Sequence, residues 1–160
     1  MRMKDVFIAA DNIVSPLGSG ANENFGQLLA GNSALRSHNN PLLLDQPFFA
    51  ALFEQQSFET DPVYTKFEKL IIASISSAIQ QTKIDISSSR TALIISTTKG
   101  NISLIERHQV DSNLKERLAI HHSAKLIGEH FKMVSQPIVV SNACISGILG
   151  IVTGMRLIQS

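Results

Sequence analysis

Pro137-Ile138-Val139-Val140-Ser141-Asn142-Ala143-Cys144-Ile145-Ser146-Gly147 is the stretch on which the fold turns. Proline halts the helical pattern that precedes it. Ile138-Val139-Val140 is β-branched throughout and predicts a buried strand. Ser141 to Ala143 is short and turn-forming, and an apolar helical segment runs from about Cys144 to the chain end. Strand, sharp turn and helix in succession are the unit of a layered α/β fold. Met133 to Met155 carries no charge, and that length is enough to span a bilayer. Its polar middle and its change of character at Asn142 predict strand, turn and buried helix instead.

Working outward, the same grammar recurs. Thr91 to Ser96 predicts a second strand, ending in Thr97-Thr98-Lys99-Gly100-Asn101. Val6 to Ala10 predicts a first one. Ser15-Pro16-Leu17-Gly18 is turn chemistry. Asn22 is placed to cap a helix over Glu23–Ala30, with Phe25, Leu28 and Leu29 inward and Gly31-Asn32 at its end. Asp61-Pro62 reads as a helix start, and the apolar spacing from Val63 through Phe67, Leu70 and Ile71 carries that helix to Gln81. Further helices are expected near Ile102–His108 and over Asn113–Met133, where Asn113 and Glu116 fit a capping box. Residues 33–60 read as irregular, yet they hold Leu42-Leu43-Leu44 and Phe48-Phe49. So much apolar surface either covers the protein's own core or meets a partner. The alternation favours a parallel sheet between helices.

The composition narrows the class. The chain has 160 residues, 44% hydrophobic and 17% charged, which excludes disorder for its bulk. One core suits this length, so 1–160 reads as one domain or part of one. Lys and Arg number 14 against 13 Asp and Glu, giving no basic excess for nucleic acid. The lone Cys144 forms no internal disulfide. With no signal-peptide pattern at the N-terminus, a reducing cytoplasm is the expectation. The last predicted helix is apolar on nearly every side. That leads us to expect a larger whole, of which this chain is the opening part.

Cys144 sits at the predicted strand-to-helix junction. Free N–H groups and the positive end of the helix dipole favour an anionic sulfur there and an oxyanion during acyl transfer. Gly147 is expected to let the helix pack closely. The alternative is that Cys144 simply fills the core; the turn residues around it favour the nucleophile. The five histidines have no zinc spacing, and no metal or cofactor is expected. His121, His122 and His130 fit a solvated helix face with Lys125, Glu129 and Lys132, while His38 and His108 have no evident partner. Thr97-Thr98-Lys99-Gly100 lacks the glycine and hydroxyl of a phosphate loop, although its place after a strand is where α/β ligands gather.

Three segments together resemble the β-ketoacyl synthases, the thiolase-like condensing enzymes. Val14-Ser15-Pro16-Leu17-Gly18 and Leu28-Leu29-Ala30-Gly31-Asn32-Ser33 resemble the family's opening. Ser96-Thr97-Thr98-Lys99-Gly100 resembles the end of its second core strand. Ser141-Asn142-Ala143-Cys144-Ile145-Ser146-Gly147 resembles its nucleophile motif, Thr-Ala-Cys-small-Ser-Gly. The resemblance implies the N-terminal half of a thiolase-like fold, a mixed, mostly parallel sheet packed against helices, with strand order 3-2-1-4-5.

It also implies a chemistry. A cysteine accepts an acyl group from a carrier-protein thioester; a malonyl unit then loses carbon dioxide and attacks. Cys144 is the implied acyl acceptor, with its own N–H as one oxyanion donor. Thr97, Thr98, Lys99 and Gly100 are implied to lie near the acyl pocket with Asn142 and Ile145. The latter two replace the usual threonine and small residue and are expected to narrow it. The implied partners are acyl carrier protein with acyl and malonyl thioesters, and a second copy joined through the strand near Ile138–Ser141. Fatty-acid, polyketide and aryl-polyene synthesis all use such chemistry.

Family members carry two catalytic histidines in motifs that this chain lacks. The full condensation is therefore not expected from it alone, and a non-catalytic synthase-like partner subunit is the second reading. An α/β-hydrolase elbow would place glycines where Asn142 and Ser146 stand. Lys66 and Lys69 suit either carrier docking or a solvated helix.

Overall fold

The computed structural model describes residues 4–53, 63–106 and 111–160. Asp61-Pro62, the last part of the irregular segment, and His108 lie outside the described residues. The chain divides into two compact units, Ala10–Thr82 and Met1–Ala9 with Lys83–Ser160.

The first unit holds α1 (Ala21–Leu29), the antiparallel hairpin β1 (Arg36–His38) and β2 (Phe48–Ala50), and α2 (Lys66–Gln80). The hairpin lies in the stretch expected to be irregular. Its six strand residues are too few for a periodic signal, and Pro41 and Pro47 obscure it. Helix α1 corrects a second expectation. Its N-cap is Gly20, and Phe25, Leu28 and Leu29 are all exposed. The one buried residue of α1 is Asn24, at 5% exposure. Its Nδ2 donates to the carbonyls of Ile13, Gly18 and Gly20, and its Oδ1 accepts from Ser15 Oγ. Buried amides are retained where the backbone needs partners, and here the Ser15–Gly20 turn wraps around this one.

The end of α1 follows expectation. Asn32 N donates to Gln27 O, Gly31 N donates to Leu28 O, and Gly31 has φ +71. Glycine takes that left-handed position without Cβ strain. Helix α2 begins with a reciprocal cap: Glu68 N donates to Thr65 Oγ1 and Thr65 N to Glu68 Oε2. Glu68 is fully buried.

The second unit contains β3 (Ile94–Ser96), a 3-10 turn (Ile102–Glu106), α3 (Ser112–Leu118), α4 (Ile120–His130), β4 (Ile138–Val140), a 3-10 turn (Ala143–Ile145) and α5 (Ser146–Gln159). Strands β3 and β4 pair in parallel, Ile94 opposite Ile138 and Ser96 opposite Val140. This is the mixed α/β architecture that the alternation predicts, with the expected neighbours paired. The expected strand at Val6–Ala10 does not form. Among the described residues it has no ladder partner, and Phe7 and Ile8 are more than four-fifths exposed. An apolar run becomes a strand only where a neighbouring edge satisfies its backbone.

The predicted helix over Asn113–Met133 is two helices. Asn101, nearly fully buried, donates from Nδ2 to Arg117 O and to Ser123 Oγ. That carbonyl would otherwise accept from the N–H four residues on, so the chain breaks at Ala119 and restarts. The α3 cap is Asp111, whose Oδ1 accepts from Leu114 N at 2.7 Å. Asn113 is inside the helix, and Glu116 faces His122 at 3.4 Å. His121, Lys125, Glu129 and Lys132 form the expected exposed face.

Helix α4 packs against β4 with Ala124 and Ile127 buried. Helix α5 packs against β3 through Gly150 and Gly154. A Cβ on Gly150 would sit 3.1 Å from Ser96 Cβ, and one on Gly154 3.3 Å from Ile94 Cδ1. Among the described residues a Cβ on Gly147 would meet nothing within 4 Å, so the close approach belongs to Gly150 and Gly154. Among the described residues no helix is long and apolar enough to cross a membrane.

Candidate functional site

Parallel strands send their following loops to the same edge of a sheet. Because Ser96 stands opposite Val140, the Thr97–Asn101 and Ser141–Cys144 segments leave β3 and β4 side by side. The two segments singled out in the sequence therefore share the carboxyl edge of one parallel pair.

The turn after β4 is tightly specified. Ala143 has φ +42, a left-handed conformation that costs an L-residue about 1–2 kcal/mol. Ser146 holds it there. This residue is buried; its Oγ accepts from Asn142 N at 2.8 Å and donates to Ala143 O at 2.8 Å. Ile145 N donates to Asn142 O. The result is a 3-10 turn that delivers Cys144 to the start of α5.

Cys144 is exposed, so it does not fill the core. Ser146 N donates to Ala143 O, and among the described residues no side chain caps the first turn of α5, where the N–H groups of a helix start turn to solvent or to a ligand. Asn142 and Ile145, expected beside an acyl pocket, are exposed as well.

The neighbouring loop is also built from its own hydrogen bonds. Thr97 Oγ1 accepts from Lys99 N at 3.2 Å and Gly100 N at 3.3 Å. Gly100 has φ +51 with Ile120 Cγ1 at 3.4 Å from where a Cβ would be, so this position favours glycine. These N–H groups are engaged internally, which agrees with the absence of a phosphate-loop pattern. Thr98 and Lys99 are exposed on the loop.

Two residues of this edge carry no role in the sequence reading. Ser146 lies inside the quoted motif, but its bridging hydroxyl is legible only once Ala143 is seen to be left-handed. Ser96 Oγ is buried beneath α5 and, among the described residues, is the side-chain polar atom left without a hydrogen-bond partner. Lys66, a candidate for carrier docking, lies over the Phe53 ring, 5.0 Å from its centroid.

No protein-family model matches the sequence, and no curated protein matches it at a significant level.

Proposed function

We propose that the chain is the N-terminal portion of a β-ketoacyl-synthase-type acyltransferase of thiolase-like fold, with Cys144 as its acyl acceptor. The observation that carries this reading is the exposed thiol at the head of α5 behind a left-handed alanine. A filler cysteine needs no such turn; a nucleophile attacking a bulky thioester does. In the step proposed, the Cys144 sulfur attacks the thioester carbonyl. A new S–C bond forms, the old one breaks, and the carrier thiol leaves with a proton. Uncapped N–H groups at the start of α5 stabilise the intermediate oxyanion. Thr97, Thr98, Lys99 and Gly100 border the acyl group. Decarboxylation of a malonyl partner draws on groups outside this chain.

The test is intact-mass analysis after exposure to cerulenin or an acyl-carrier thioester. A single adduct is expected, absent in Cys144→Ala. No adduct on folded protein, or one that survives in the mutant, defeats the proposal.

The second reading, a synthase-like partner subunit without turnover, rests on α5. Ile148, Ile151, Met155 and Ile158 share one face at helical spacing and are all exposed. Both readings include a homodimer through β4, which among the described residues pairs only with β3; an open apolar edge favours pairing with another strand. Light scattering on the eluting protein is expected to give twice the chain mass, and Val139→Lys to halve it. A monomer at micromolar concentration would rule the dimer out.

A further inference from the structure

The Ala10–Thr82 unit contains a recess of about 870 Å³, within the range of small-molecule sites. One wall is the face of the β1–β2 hairpin. Side chains alternate along a strand, so Arg36 and His38, with Asn40 just beyond β1, turn to one side; Phe48 lies opposite His38. These four line the recess. Phe49, one residue out of phase, points away and is exposed. The other wall is the turn from Val14 to Ser19, held in shape by Asn24.

The chemistry of the hairpin wall is specific. Arg36 Nη1 donates to the carbonyls of Ser33 and Leu35, which fixes the guanidinium; among the described residues its other donors are unused. Among the described residues Arg36 has no carboxylate partner. Asn40 Oδ1 accepts from Leu42 N, so its amide is oriented, with Nδ2 unpaired among the described residues. His38 Nε2 lies 3.1 Å from Ala50 O; a carbonyl only accepts, so Nε2 carries the proton. The imidazole is thereby held stacked on Phe48, centroids 5.6 Å apart. A fixed cation and a free amide donor beside a flat aromatic platform suit one kind of guest. Glu23, on the opposite wall, is taken up by Ser19 N at 2.9 Å and disfavours a second negative charge.

We infer that this recess binds a small organic monoanion with a flat apolar body, its charged group on Arg36 and Asn40 and its body on the His38–Phe48 stack. The recess is built from the Ala10–Thr82 unit alone, and the inference stands or falls independently of the acyltransferase reading.

Titration of the ¹⁵N-labelled 160-residue chain with benzoate is the test, with benzyl alcohol and benzylammonium as neutral and cationic counterparts. Shifts confined to residues of the recess are expected for benzoate. Its affinity should exceed that of either counterpart by at least tenfold. Arg36→Gln is expected to lose tenfold or more of that affinity. Asn40→Asp replaces the donor with a repelling charge at equal size and should do the same; the two variants fail in different ways if either disturbs folding. Phe49→Ser, on the other side of the hairpin, should leave binding unchanged. Equal affinity for benzoate and benzyl alcohol, no shifts at millimolar benzoate, or full benzoate binding by Asn40→Asp overturns the inference.

Discussion

Asn24→Ala lowers the stability of the Ala10–Thr82 unit by about 3 kcal/mol, the expected result for a buried side chain that serves several backbone groups. The side chain is small, so little of the loss is packing. The alanine leaves Ile13 O without its donor, while Gly18 O retains Ser15 N and Gly20 O retains the Asn24 N–H. It also removes the acceptor for Ser15 Oγ. Losing the hydrogen bonds to Ile13 O and from Ser15 Oγ costs about 1–3 kcal/mol, and the weakened turn adds to it. Asn24→Asp is the sharper variant. It keeps size and shape but turns two donors into acceptors facing three carbonyls, so it should lose at least as much as alanine. Urea denaturation followed through Tyr64, the chain's single tyrosine, reports on this unit. An Asn24→Asp variant as stable as the parent would show that the amide does not organise the turn.

Asn24 also shows where sequence reading stops. Hydrophobic spacing located α1 and its glycine end correctly, because both are local: a helical period and a residue tolerant of positive φ. Which face of α1 turns inward is not local. Phe25, Leu28 and Leu29 read as the buried face, yet the chain before the helix turns the carbonyls of Ile13, Gly18 and Gly20 toward one point, and the Asn24 amide takes the interior place there. The same reason lies behind the break at Ala119, where Asn101 reaches across to Arg117 O from sixteen residues earlier.

The β3–β4 pair was legible because Ile94-Ile95 and Ile138-Val139-Val140 are short β-branched runs bounded by turn formers. The run at Val6–Ala10 has similar composition and forms no ladder among the described residues. Composition sets the capacity to be a strand; the partner edge decides. At the candidate site, the order strand–turn–helix and the exposed place of Cys144 followed from Pro137 and the small residues after Val140. The packing glycines did not. Gly147 lies nearest the cysteine, but Gly150 and Gly154 are the ones one and two turns along the face that meets β3.

Ser146→Ala tests whether that turn serves the thiol or only the fold. The hydroxyl bridges Asn142 N and Ala143 O; its loss takes that acceptor from Asn142 N and leaves Ala143 O with the Ser146 backbone N–H alone. A destabilisation of about 2 kcal/mol is expected from the two hydrogen bonds. It is limited because Ala143 can then relax out of the left-handed region and recover part of its strain. That relaxation is what links stability to reactivity. Once Ala143 leaves φ +42, the 3-10 turn no longer carries Cys144 to the uncapped N–H groups of α5. Acylation of Cys144 by a carrier thioester should then slow by tenfold or more, under conditions where the variant remains folded. Ser146→Thr keeps the oxygen and should recover most of the rate even if its extra methyl lowers stability. A purely structural serine predicts the reverse pattern: rate would follow stability in both variants, and threonine would be no better than alanine. An alanine variant acylated as fast as the parent would separate the left-handed turn from the chemistry proposed for Cys144.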